Sequence, residues 1–351
     1  MKILILPRYE TQAASSRYRF YQYIPYLKAK EWDVTVKPLL SNNYIKYLYE
    51  KTPLPVNEII LGYFERIIQI LNKKKFDLIW LQQEALPWIP SAFEKIILSG
   101  KTKIVTDYDD AFFHRYDQNK NLIVRSFLKN KIDSVMEYSN MVLAGNNYLF
   151  ERAKLNNNNV KLFPTVVDIN KFKNTNPIKD DVFTIGWIGS PGTSKYLMLI
   201  KDVLKEVSKE KDIRINLIGA PKINIKGVNI NHIKWDENNE VEEISKFDVG
   251  IMPLPDNPWE RGKCGFKLIQ YSSCNLPVIG SPVGVNKDII INGVNGFQAN
   301  STDEWIRYIR LLKHDRKLLL NMGINGRKFV EEKYALQKNV VKLTNYFEEL
   351  L

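Results

Sequence analysis

The chain has 351 residues, of which 44% are hydrophobic, enough for two domains of ordinary size, each with its own core. Its net charge of +12 calls for an anionic partner, but no recognised nucleic-acid motif accompanies that charge, so no nucleic acid is expected. No apolar run reaches the roughly 20 residues of a membrane span, and Cys264 and Cys274, ten residues apart with no Cys or His cluster beside them, form no metal site and need no bridge.

Short apolar runs alternate with longer helical patterns along the whole chain, which predicts α/β architecture with parallel sheets. Met1 to Pro7 is too short and too quickly polar for a signal peptide and reads as a first buried strand, Lys2 to Leu6. A helix over Ser16 to Lys30 and a strand over Asp33 to Val36 follow. Asn57 to Leu71 has apolar residues at helical spacing. Strands are expected at 77–81, 103–107 and 141–144. A second series then starts over: a strand from Phe183 into the turn Gly189-Ser190-Pro191-Gly192, a helix over Lys195 to Glu210, and strands at 213–218, 248–254 and 277–280. Helices close the chain from Asp303 onward. The Lys/Asn-rich stretch near 165–180 reads as the linker, which predicts an N-terminal domain over 1–170 and a C-terminal domain over 171–335. A last helix, 336–351, is expected to pack back on the N-terminal domain. In open sheets of this kind ligands bind beyond the carboxyl ends of the strands.

Most of the excess charge falls in the first half, where basic and aromatic residues alternate in Arg17 to Tyr23 and again in Tyr44 to Lys51. This pattern is either a solvated face or a surface for anionic lipid. The turn Asp107-Tyr108-Asp109-Asp110 places three acids at a strand end, costly by self-repulsion unless something uses them. Asp109 and Asp110 are candidates to orient an acceptor hydroxyl, with His114 close behind. The D-x-D spacing also invites a metal-holding role, but the better signature for a phosphate-bearing donor lies far downstream, in the other domain.

That signature is Trp259-Glu260-Arg261-Gly262-Lys263-Cys264-Gly265-Phe266-Lys267-Leu268-Ile269-Gln270-Tyr271, followed by Pro277-Val278-Ile279 and the turn Ser281 to Asn286. Arg261, Lys263 and Lys267 sit in a glycine-bearing loop ahead of a helix, a layout suited to an anion. The segment resembles the donor-binding region of the retaining glycosyltransferases of family 4, whose pattern K-L-x-E-Y-x-x-x-x-x-P-V-I it follows with Gln270 in place of Glu. The resemblance is strong over about 183–300 and looser before that. It implies the GT-B fold: two Rossmann-like doubly wound domains facing across a cleft.

The resemblance further implies that Gln270 faces the donor ribose and that Glu260 is the nearest counterpart of the sugar-contacting Glu, at a spacing that departs from E-x7-E. Gly284 and Val285 match the loop that approaches sugar and phosphates. Gly219 and Trp235 fall where the family holds the base, and Gly189, Ser190 and Lys195 form a further strand-to-helix turn for phosphate. Ser16, Arg17 and Arg19 would hold an acceptor phosphate. The implied reaction moves a sugar from a nucleotide-diphosphate sugar to a glycan or lipid-linked hydroxyl, with retention, no metal and no cofactor. The implied setting is polysaccharide or lipopolysaccharide biosynthesis, in the cytoplasm or peripherally at the inner face of the cell membrane. Two other readings stay open: a nucleotide-sugar epimerase of GT-B fold, and a non-enzymatic binder of polyanions or membranes.

Overall fold

The structure, a computed structural model, describes residues 1–173 and 181–351. The end of the expected linker, residues 174–180, lies outside the described residues. The chain forms two compact units. The first holds Met1–Thr165, Arg261–Cys264 and Lys338–Leu351, and the second holds Val166–Glu260 and Gly265–Gln337.

Strands β1 (Lys2–Leu6), β2 (Asp33–Val36), β3 (Leu78–Gln82), β4 (Lys103–Tyr108), β5 (Met141–Ala144) and β6 (Val160–Leu162) form the first sheet, in the order β2-β1-β3-β4-β5-β6. Every pairing in it is parallel. Ile3 to Leu6 and Leu78 to Leu81 are fully buried, as continuous apolar runs must be when helices cover both faces of a sheet. Ile70 and Leu98 pack with Leu4 and Ile79 in one core cluster; Ile132 and Met136 pack with Val142 and Ala144 in another.

The second unit repeats the plan with β7 (Phe183–Ile188), β8 (Ile213–Ile218), β9 (Ile230–Ile233), β10 (Val249–Met252), β11 (Val278–Gly280) and β12 (Gly296–Gln298), in the order β12-β11-β10-β7-β8-β9. Trp187, Leu204, Leu217, Ile251 and Ile309 share its core. Each sheet starts in its middle, runs to one edge and then fills the other side. The strand order therefore reverses between β1 and β3, and again between β7 and β10, which are the places where such sheets bind ligands. Residues Lys338–Leu351 count with the first unit, where Phe347 meets Trp80 edge-on at 5.4 Å and Glu348 pairs with Lys30 at 2.7 Å.

Two expected helices are broken. Ser16 to Lys30 divides into Ala14–Arg19, a 3-10 turn at Tyr21–Tyr23, and Ile24–Ala29. The helical backbone breaks at Phe20, and Pro25 falls in the first turn of the new helix, where its missing amide hydrogen has no partner to lose. Lys195 to Glu210 opens as a 3-10 helix, Ser194–Ile200, before the α-helix Lys201–Val207. Strands β6, β9 and β12 were not anticipated: each has three or four residues and none is fully buried.

Candidate functional site

In the second unit the helix Phe266–Ser273 starts at Gly265, whose φ of +64° strains any residue with a Cβ. A Cβ there would also come within 2.4 Å of Ile289 Cδ1 and 3.1 Å of Val285 Cγ1. The helix start and the Gly284-Val285 turn are thus pressed together. No side chain caps this end and no acid stands in its first turn, so its leading amides present a positive end to an anion. Lys267, in that first turn, lies over the Trp187 ring at 5.3 Å, near the end of β7.

The turns after β7, β8 and β9 also meet. Gly219 has φ of +73°, and a Cβ on it would lie 2.4 Å from Gly189 O and 3.3 Å from Trp235 Cβ. Close backbone approach at this point therefore needs glycine. Ser190 accepts at its carbonyl from the Thr193 hydroxyl at 3.0 Å, and Lys195 is exposed, its Nζ 5.2 Å from the centre of the Tyr196 ring.

Trp235 Nε1 donates to Glu240 Oε2 at 2.9 Å, and Gln270 Nε2 donates to Glu240 Oε1. Glu240 and Gln270 are both buried. The carboxylate absent at position 270 is therefore present beside it, delivered by a different helix, Glu240–Ser245. No sequence pattern marks Glu240, since its partner lies thirty residues downstream. Glu260 is buried as well and accepts a hydrogen bond from the Tyr196 hydroxyl.

In the first unit the acidic turn after β4 is used by the chain itself. Asp107 Oδ1 accepts from Arg19 Nε at 2.8 Å and its Oδ2 from Trp80 Nε1 at 3.2 Å. Asp109 Oδ1 accepts from Gln83 Nε2 at 3.3 Å, and Asp110 pairs with Lys263 Nζ at 3.4 Å. Burial raises the pKa of the Asp109 carboxyl; Arg19 opposes the shift and Asp107 adds to it. The segment Arg261–Cys264 is fastened to this turn and to its neighbour. Asn146 Nδ2 donates to Lys263 O at 2.9 Å, the Cys264 thiol donates to Asp109 O at 3.1 Å, and a Cβ on Gly262 would lie 2.5 Å from Ala111 Cβ.

Several sequence expectations change accordingly. Arg19 is no acceptor-phosphate ligand: it is fully buried and spent on Asp107, Phe163 O at 2.8 Å and Thr165 Oγ1 at 3.3 Å. Burial works against its charge, yet Asp107 more than offsets this and its pKa is raised. Ser16 is also buried, donating to Gln82 Oε1 at 2.8 Å and accepting from the Tyr9 amide at 3.1 Å. Arg17 is buried and donates to Thr11 O at 2.8 Å. His114 has both ring nitrogens engaged, with Asp117 Oδ1 and with the Tyr148 hydroxyl, each at 2.8 Å, so it bridges helices rather than facing an acceptor. Of the three cations in the signature, Lys263 is paired with Asp110 and Lys267 lies over the Trp187 ring. Both cysteines are free and buried. Among the described residues no group of three or more His, Cys, Asp or Glu is placed to hold a metal ion.

Arg8 was missed. It follows β1 at the point where the strand order reverses, with Nη1 3.2 Å from Gln83 Oε1 and 3.3 Å from Glu84 Oε1. Its guanidinium carbon lies 5.5 Å from the centre of the Phe112 ring, and its Nε is buried without a hydrogen-bond partner. The available signal was position: a lone arginine directly after the first strand.

Residues 180–315 match the family model of glycosyl transferases group 1. An uncharacterised glycosyltransferase of Methanocaldococcus jannaschii is 27% identical over 159 residues, which span 42% of this chain and 44% of that relative, less than half its length. The chain is also similar in fold to HepE of Anabaena, solved in complex with UDP and glucose (TM-score 0.72, 14% identity, 99% of each chain). A second similar structure is sucrose-phosphate synthase from Thermosynechococcus elongatus (TM-score 0.73, 13% identity, covering 100% of this chain and 99% of that one). The chain therefore has the two-domain α/β fold of the GT-B glycosyltransferases, and its segment 180–315 carries the signature of the glycosyl transferases group 1.

Proposed function

We propose that the protein is a glycosyltransferase that moves a sugar from a nucleoside-diphosphate sugar to a hydroxyl acceptor. The observation that carries this reading is the uncapped start of helix Phe266–Ser273, pressed against the Gly284-Val285 turn, within the matched segment. The leading amides and Lys267 would hold the diphosphate, and fixed positive charge of this kind stabilises the negative charge that develops as the glycosyl bond breaks. Trp235, beside the Gly189 and Gly219 turns, would face the base.

Gln270 would accept from the ribose hydroxyls, with Glu240 as its positioning residue. A carboxylate cannot donate, so Glu240 fixes the amide nitrogen of Gln270 toward itself and leaves Oε1 to meet the ligand. The oxygen lost with the absent Glu is thereby restored, without its charge. Retention follows if the acceptor attacks on the face that the diphosphate leaves, with the departing phosphate taking the hydroxyl proton. No metal takes part in this scheme. In the first unit, Arg8, Gln83 and Asp109 surround the point of strand reversal and would meet the acceptor, a glycan or lipid-linked saccharide.

The test is thermal unfolding against a panel of nucleoside diphosphates and their sugars, with and without EDTA. Selective stabilisation by one nucleotide, unchanged by EDTA, is expected. Stabilisation only with a divalent cation would overturn metal independence. None with any nucleotide would overturn the assignment, and conversion of the donor without acceptor would favour an epimerase.

A further inference from the structure

Helix Val56–Leu71 of the first unit extends its apolar surface beyond the face it turns to the sheet. Its inner face is set by Ile70, in the core, and by Arg66, which donates to Pro7 O at 2.8 Å. Its outer face carries Val56, Ile60, Leu61, Phe64, Ile68 and Leu71, all exposed, with Ile60 at 63% and Phe64 at 62%. At 100° per residue these six fall within one arc of about 140°, which also holds Asn57 and, near its edge, Ile67, which packs on the core. Glu58, Glu65 and Gln69 form its polar face, and the apolar arc between that face and the core is left uncovered. The patch continues on the adjoining helix Ser91–Leu98 through Phe93 and Ile96, the latter 71% exposed, and on the segment before Val56 through Leu48 and Leu54.

Charge identifies the occupant. Lys46, Lys51, Lys74, Lys75 and Lys95 are all exposed around these helices. The acids nearby, Glu50, Glu58 and Glu65, are exposed too but are outnumbered by these five lysines, and Glu58 is engaged by the Ser41 hydroxyl and by Asn43 Nδ2. An apolar stripe ringed by lysine ammonium groups suits a surface that is apolar below and anionic at its rim. We infer that this face docks on an anionic lipid bilayer, with the helix lying in the plane of the interface. Its 16 residues, three of them charged, are too short to cross a bilayer. The aromatic and basic stretch Arg17 to Tyr23, which the sequence offered for this role, is not part of the surface: Arg17, Tyr18, Arg19, Phe20 and Tyr23 are all buried.

Co-sedimentation of the full chain with vesicles tests this, comparing phosphatidylglycerol–phosphatidylcholine mixtures with phosphatidylcholine alone at low and high salt. Binding is expected to the anionic vesicles only, weakening as salt rises. The double variant Ile60→Asp, Phe64→Asp should lower it at least tenfold, and Lys74→Glu, Lys75→Glu should lower it at low salt only. Both variants should keep the wild-type melting temperature and nucleotide stabilisation, so a failed donor site and a failed docking face give different results. Absence of wild-type binding at low salt, or equal binding by the aspartate variant, would overturn the inference. So would a wild-type dimer in sedimentation velocity that the aspartate pair breaks, since the face would then belong to a second copy of the chain.

Discussion

The two units are both built on a six-stranded parallel sheet with one reversal of strand order, and they differ in what they bury. Of the Arg, Lys, Asp and Glu side chains buried among the described residues, nine (Arg8, Arg17, Arg19, Arg66, Lys73, Glu84, Glu94, Asp107 and Lys131) lie in the first unit and three (Glu240, Asp248 and Glu260) in the second. Of the 26 large hydrophobic residues exposed among the described residues, 19 lie in the first unit and seven in the second. The first unit thus hides charge and shows apolar surface, while the second is arranged the ordinary way. One parallel sheet tolerates both because its own strands bury their backbone polar groups; what the helices and turns carry is left to function.

The sharpest way to break this contrast is at Lys131. Its Nζ donates to Leu86 O at 2.9 Å and to Glu94, and lies 3.4 Å from Glu84. Lys131→Met would leave two buried carboxylates without their shared cation, and such a break typically costs about 3–5 kcal/mol. Urea unfolding should register the loss in the first unit's transition. A variant as stable as wild type would show that this buried cluster contributes no net stability to the first unit.

In the second unit the corresponding test is functional. Glu240→Ala should weaken nucleotide binding about tenfold, or about 1.4 kcal/mol, because the Gln270 amide would lose the partner that orients it. Titration calorimetry well below the melting temperature would measure this, and Glu240→Gln should recover part of it. Unchanged affinity in Glu240→Ala would assign the residue to packing alone. The smallest effect is expected on the exposed helix face: Ile60→Asp with Phe64→Asp should leave folding stability within about 0.5 kcal/mol of wild type per site. A larger loss would show that this face packs against something in the folded chain.

Legibility follows the same division. Strands β1 and β5 stand where expected because a buried parallel strand is written as an uninterrupted apolar run, and β2 and β8 because apolar and polar residues alternate along them. The family signature was also readable, since Gly265, Lys267, Gln270 and Gly284 lie within twenty residues of one another and inside the segment that matches the family model. Arg8 and Glu240 were not readable, because each acquires its partner only when distant strands or helices come together. Arg19 and His114 misled for the same reason: an arginine or histidine in a polar stretch gives no sign that Asp107 or Tyr148 will claim it.

By itself, then, the sequence determined the alternation of strands and helices, the division into two α/β series and the glycine-bearing loop ahead of helix Phe266–Ser273, all set by spacing along the chain. Only the tertiary structure decided which charges are spent inside the protein, where the carboxylate near Gln270 comes from, and that helix Val56–Leu71 keeps an apolar face in solvent. Those outcomes depend on burial, and burial is a property of neighbours far apart in sequence.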